Sequence, residues 1–142
     1  MRISPTLALQ LACGLLMSSL FITTGQAQPT QEQQQRVAAA LDSPTRAIAH
    51  VLRDEIRRPA EVIAFMRLPE GARVLDLYAA DGYYSYLLAA AVGPEGHVFA
   101  QNPIATDNLE DVRQMYSLAD ALDERIEIAG LSNVSHIRSD FA

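Results

Sequence analysis

An α/β fold built on a parallel sheet is the class this sequence predicts, and three observations carry it. The segment Arg73–Asn102, RVLDLYAADGYYSYLLAAAVGPEGHVFAQN, reads as a buried strand, a tight turn, an amphipathic helix, a Gly-Pro break and a second strand. A further helical pattern and a third short strand follow it. Helical patterns alone precede it, so the order is helices and then β-α-β-α-β, which predicts parallel strands joined by right-handed crossovers.

The front of the chain reads differently. Met1–Ala27 carries one base, Arg2, and no acid; its apolar stretch Leu7–Ile22 leads to the small residues of Gly25-Gln26-Ala27. A basic start, an apolar middle and a small-residue end are the marks of a secretory signal. The expectation is therefore an exported protein, periplasmic or secreted, that no longer meets the membrane after cleavage; an uncleaved N-terminal anchor is the alternative. The only cysteine, Cys13, lies in this stretch, so the remainder has neither disulfides nor cysteine metal sites. The chain has a net charge of −6 and no lysine. An acidic domain of this kind is a poor binder of phosphate backbones, and no direct nucleic-acid partner is expected.

Residues 28–42 read as a polar, Gln-rich linker with a short helix at Arg36–Leu41, and residues 43–142 as the domain. Ser43 and Pro44 suit an N-cap and first helical position. Ala47, Ile48, Val51, Leu52 and Ile56 then follow at helical spacing up to Arg57-Arg58. Pro59 opens another helix with Val62, Ile63, Phe65 and Met66 on its apolar side, and Leu68-Pro69-Glu70-Gly71 turns the chain. Val74, Leu75 and Leu77 in close succession predict a strand, Arg73–Tyr78, covered on both faces. A helix over Gly82–Val92, a strand over His97–Gln101, a helix over Asn108–Leu122 and a strand over Val134–Arg138 complete the pattern.

In parallel α/β sheets ligands bind beyond the carboxyl ends of the strands, where the first strand-to-helix turn lies. Here that turn is Tyr78-Ala79-Ala80-Asp81-Gly82. Asp76 stands in the apolar strand before it, and a buried acid needs a partner or a purpose. Asp81 places negative charge at a helix start, which suits the helix but opposes a pyrophosphate. The turn is thus expected to take a cationic or zwitterionic ligand rather than a dinucleotide. Tyr84 and Arg58 are candidates for a pocket wall, whereas Tyr83 reads as helix packing. Asp54 and Arg58, four apart, suit a surface pair. His50, His97 and His136 are scattered without metal-ligand spacing, so no metal is expected, and they read as surface or strand-end residues. No catalytic triad or paired carboxylate emerges from spacing, and the catalytic residue stays unknown.

VLDLYAADGYYS, Val74–Ser85, resembles the first motif of class I S-adenosylmethionine-dependent methyltransferases: two hydrophobic residues, Asp, a hydrophobic residue, then Gly-x-Gly-x-Gly. The longer run Arg53–Pro103 is similar to a group of secreted, predicted methyltransferases, and the likeness continues into Leu131–Phe141. The resemblance implies a Rossmann-like sheet of seven strands, of which three stand here, and hence a truncated chain whose first strand shows an open apolar edge for a partner chain to cover. It implies S-adenosylmethionine as cofactor, a small-molecule or unknown methyl acceptor, and methyltransferase activity in the full-length form. By position in the motif, Asp76 orders the turn. Tyr78, Ala79, Ala80, Asp81 and Gly82 lie beside the methionine part of the cofactor, Gln101 and Asn102 stand where an acid would take the ribose, and Asp140 would meet the adenine amine. Tyr78 and Ala80 replace the first two glycines, and a tyrosine there would narrow or block the pocket. The rival readings are a non-catalytic exported module with a degenerate pocket, and a nucleotide-linked oxidoreductase, which the missing glycines and the absence of an acid at Gln101 oppose.

Overall fold

The computed structural model describes residues 28–104 and 109–139, with the side chains of residues 109–117 and 119 left aside. The expected leader and Asp140 fall outside the described residues. The elements run α1 (Gln31–Leu41), α2 (Ile48–Arg57), α3 (Pro59–Met66), β1 (Arg73–Leu77), α4 (Tyr83–Val92), β2 (His97–Asn102), α5 (Leu109–Ile128) and β3 (Val134–Arg138). The three strands are parallel, in the order β1-β2-β3. This is the Rossmann-like α/β architecture the alternation predicts.

Strand order that advances in one direction puts both right-handed crossovers on one face. Val74, Val98, Ala100 and Val134 pack there against Leu87, Leu88, Ala91 and Val92 of α4, with Leu122 of α5. The opposite face is not covered by the described residues: Leu75 and Leu77 are about half exposed. The expectation that β1 is covered on both faces is thereby corrected, and β1 forms an edge of the described sheet.

The central helix α4 has both ends satisfied by distant parts of the chain. A helix leaves its first N–H and last C=O groups without internal partners. Gly82, its N-cap, has no side chain, and Asp76 of β1 serves instead, accepting from Ser85 Oγ at 2.6 Å and from the Ser85 backbone N–H. At the other end, Asn133 Nδ2 donates to Ala89 O and Gly93 O, Arg36 Nε to Ala90 O, Gln33 Nε2 to Ala91 O, and Gly71 N–H to Val92 O. An apolar helix with buried ends requires this, because a carbonyl left bare in the core is costly.

Two of those donors stand on α1, which revises the linker reading of residues 28–42. Gln33 is buried and bonds both Ala91 O, at 2.7 Å, and Leu68 O, at 2.9 Å. Arg36 also pairs with Glu32 and Glu70. Thr30 caps α1, accepting from Gln33 N–H. The Gln-rich composition is that of a helix whose polar side chains meet backbone carbonyls. The next helix also starts later than Ser43-Pro44 suggests, at Ile48 with Ala47 as N-cap.

Helix α2 is turned the opposite way from an ordinary amphipathic helix. Ile48, Leu52 and Ile56 face solvent, while His50 and Asp54 point toward α4. Gln33→Ala is expected to cost about 1–3 kcal/mol by stranding two carbonyls. Urea unfolding of both proteins measures this, and a loss within error of zero would return α1 to the status of a linker.

Candidate functional site

The turn after β1 is built in an uncommon way. Tyr78 (φ 54°), Ala80 (φ 50°) and Gly82 (φ 80°) all lie in the left-handed region. These are the three positions at which the motif of Gly-x-Gly-x-Gly type has glycine. Two of them carry side chains, and a left-handed conformation costs such residues about 1–2 kcal/mol each. The path of the chain is kept although the residues that adopt it most easily are absent.

The end of β2 supplies what holds it. Gln101 Oε1 accepts from Tyr78 N–H at 3.2 Å and Gln101 O from Ala79 N–H at 2.8 Å. Asn102 Oδ1 accepts from Ala80 N–H at 2.8 Å, and Asn102 Nδ2 donates back to Ala80 O at 3.1 Å. Each such bond contributes about 0.5–1.5 kcal/mol net, so the four together are of a size to offset the strain at two residues. Gln101 Nε2 also donates to Ser139 O, which ties the end of β3 into the same arrangement. Both amides are buried. These amides, which stand where an acid would take the ribose, have their hydrogen-bonding groups engaged by the turn, because a turn short of glycine needs external support.

Asp81 is the centre of a second cluster. Its Oδ2 lies 2.8 Å from Arg125 Nη1, 3.1 Å from His50 Nε2 and 3.1 Å from Arg53 Nη2. Arg125 Nη1 also donates to the Asp81 carbonyl at 2.6 Å. Burial pushes the Asp81 carboxyl up, but the bonds from His50 and Arg125 outweigh it and hold the group well below the ordinary carboxylate range. Asp81 therefore offers no uncompensated negative charge to a ligand, which removes the sequence-based reason for preferring a cationic one.

Tyr83 extends this cluster. Its hydroxyl donates to Asp54 Oδ1 at 2.7 Å, and Asp54 is held by Arg46 through two bonds of 2.6 and 2.8 Å. The Tyr83 ring meets His50 edge-on, and the Arg57 guanidinium lies 4.6 Å from its centroid. Burial and the neighbouring Asp54 carboxylate push the Tyr83 phenol up to about 12. It is therefore protonated at neutral pH and a poor general base.

The sequence-derived candidates are thus distributed as follows. Asp76 lies under the turn with its carboxyl pushed up by burial, against the bonds from Ser85. Ala79 is buried, and Tyr78 is 65% exposed. Gly82 faces Leu122, whose Cδ1 would stand 2.6 Å from an added Cβ. Tyr84 is half-buried against Tyr83. Arg58 turns away to an exposed pair with Glu61, and Asp54 pairs with Arg46 rather than Arg58, so neither the pocket nor the surface-pair expectation for Arg58 survives.

Sequence reasoning missed Arg125, Arg46 and the burial of His50. A histidine, an arginine and an acid, His50, Arg53 and Asp54, on the inward face of a helix with an apolar outward stripe were the available signal for His50. Arg125 left none, since its partner is 44 residues away.

No family model matches the chain. It is 28% identical over 81 residues to a protein-L-isoaspartate O-methyltransferase from Ignicoccus hospitalis, a match covering 57% of this chain and 33% of that protein. Among solved structures it is similar to a SAM-dependent methyltransferase from Aquifex aeolicus, with 26% identity and a TM-score of 0.50 over 75% of this chain and 47% of that one. The matched part therefore spans about a third of the curated relative and about half of the solved structure. The sheet and its helices have the Rossmann-like fold of the class I methyltransferases.

Two substitutions test the turn. Ala80→Gly is expected to stabilise by about 0.5–1 kcal/mol, the left-handed relief exceeding the added freedom of the unfolded chain. Asn102→Ala is expected to cost about 1–3 kcal/mol. Equal effects from both in denaturant melts would sink the account of a strained and latched turn.

The acid limb tests the second cluster. Asp81 has a folded pKa below its unfolded value of about 3.9, so its stabilisation is complete above that pH and lost as the pH falls from there through the lower folded value. Asp81→Asn is expected to lose about 2–3 kcal/mol at neutral pH, below the full cost of a broken buried pair because Arg53 and Arg125 are partly exposed. It is also expected to flatten the acid dependence of stability below pH ~4. Thermal melts across that range distinguish this from an unchanged acid limb, which would exclude Asp81 as its source.

Proposed function

We propose that this chain is the cofactor-binding part of an S-adenosylmethionine-dependent methyltransferase whose methyl acceptor is not yet assigned. The observation that carries the reading is the run of left-handed residues at Tyr78, Ala80 and Gly82, immediately beyond the first strand of a sheet whose fold is that of these enzymes. Such a turn lets backbone come close to a ligand at the carboxyl ends of the strands.

The residues placed to hold the cofactor are the Tyr78–Gly82 backbone and the ends of β2 and β3. When bound, S-adenosylmethionine supplies an electrophilic methyl group on a sulfonium. The chain's part is to hold and orient. Asp76 fixes the start of α4, Gln101 and Asn102 fix the turn, and Asp81 with His50, Arg53 and Arg125 fixes α2 above it. Neither Asp81, bonded to His50 and Arg125, nor Tyr83, pushed up to about 12, is suited to take a proton near neutral pH. No catalytic base is assigned.

A second reading is a non-catalytic module, and one observation favours it: the amides at the ribose position are engaged within the protein. The leader-like Met1–Ala27 supports an exported location for either. The half-exposed Leu75 and Leu77 beside the β1 edge support a covering partner strand. Calorimetric titration with S-adenosylmethionine and with its demethylated product, S-adenosylhomocysteine, decides between the readings. Saturable heat with either is the expected result; none with both would leave the non-catalytic module.

A further inference from the structure

His136 is read from sequence as a surface or strand-end residue, and the structure puts it elsewhere. It sits on β3 in register with Ala100, which is in turn in register with Asp76 of β1. Its side chain is 7% exposed. Nδ1 lies 2.8 Å from Asp123 Oδ1 on α5, and Nε2 lies 3.1 Å from Asn102 Nδ2.

These contacts admit one arrangement of protons. Asn102 Oδ1 is fixed as an acceptor by Ala80 N–H, so Nδ2 is the donor on the other side. One of its hydrogens goes to Ala80 O and the other to His136. Nε2 must therefore accept, and the ring hydrogen sits on Nδ1, where Asp123 accepts it. A line of bonds thus runs from Asp123 through His136 and Asn102 to both polar groups of the Ala80 peptide, the strained centre of the turn.

A second proton on the ring breaks this line. It would set an Nε2–H against the Asn102 Nδ2–H, two donors face to face. Rotating the Asn102 amide satisfies the imidazolium but turns NH2 toward Ala80 N–H and removes both bonds to that peptide. Among the described residues, the other charged groups around the ring are Asp123 and, beyond it, Arg138, 4.0 Å from Asp123 Oδ2 and 3.2 Å from Asp120. Asp76 is two strands away on the same row and bonded to Ser85. Asp123, which accepts from Nδ1, fixes the tautomer of the neutral ring.

We propose that His136, oriented by Asp123, is a positioning residue that holds the cofactor turn through Asn102 and releases the Ala80 peptide when its ring takes up a second proton. The proposal rests on the methyltransferase reading for its functional consequence, a loss of cofactor affinity on the acid side of the histidine range. Its structural half stands independently of any ligand.

The test follows the Ala80 amide itself. Hydrogen exchange of the full chain, measured by NMR and normalised for the intrinsic effect of pH, reports Ala80 protection across the histidine range. Protection is expected to fall about 3–10-fold toward acid, the worth of one such bond. The Val98 amide, bonded to Asn133 O within the sheet, is expected to hold steady. In His136→Gln, whose amide oxygen accepts without titrating, Ala80 protection should stay flat. Should that variant not fold, the imidazole nitrogen shifts of the unaltered protein give the tautomer: hydrogen on Nδ1 supports the relay, and hydrogen on Nε2 overturns it. Flat Ala80 protection in the unaltered protein, or an equal fall in His136→Gln, also overturns it. Calorimetry with S-adenosylhomocysteine over the same range separates the two claims. Binding that ignores pH while Ala80 protection stays flat removes the relay and keeps the cofactor reading. Absence of binding at every pH with titrating protection does the reverse.

Discussion

Four hydrogen bonds from Gln101 and Asn102 to the peptides of Tyr78, Ala79 and Ala80 hold a turn that its own residues resist. Glycine at these positions would make the left-handed path nearly free; tyrosine and alanine do not. The path is set by what surrounds it. The start of α4 depends on this turn, and the cap from Asp76 to Ser85 requires the strand and helix to meet at the angle it imposes. The Asp81 cluster depends on it as well, since Asp81 is the residue between the second and third left-handed positions. A buried amide in a strand end would ordinarily be a burden. Here it is satisfied by the one peptide segment that most needs partners.

The helix α4 shows the same exchange at larger scale. Its inner face is apolar and almost wholly buried, so its end groups are largely shielded from water. Each is met by a residue far along the chain: Gln33 and Arg36 from before the sheet, Gly71 from the turn before β1, Asn133 from the turn before β3. The polar residues of α1 are therefore part of the core's hydrogen bonding, and the core is closed by elements on both sides of it in sequence.

Periodicity made the order of elements legible, because the 3.6 and 2.0 repeats are local properties. Pro59 opening α3 and Gly93-Pro94 ending α4 were legible for the same reason. The roles of Gln33, Gln101 and Asn102 were not. A glutamine that bonds a carbonyl 58 residues on has the composition of a linker until that carbonyl is known to be buried. Asp81 was placed correctly at the turn, but its charge was misjudged, because Arg125 reaches it from 44 residues away. The left-handed backbone of Tyr78 was equally illegible, because side-chain type alone does not disclose a φ of 54°.

Helix α2 carries the last consequence. Most surface helices are held by an apolar stripe against the core. This one leaves Ile48, Leu52 and Ile56 in solvent and attaches through His50, Arg53 and Asp54 to Asp81, Arg46 and Tyr83. Its hold on the domain is thus mainly electrostatic and sensitive to the protonation of two carboxylates, Asp54 and Asp81, both held below the ordinary range. The helix α4 beneath it is held mainly by apolar burial, with the Asp76 carboxylate at its start. The element above the turn is therefore attached by a different kind of force from the element that starts it. Conditions that weaken ion pairs would loosen the roof of the site before they disturb its floor.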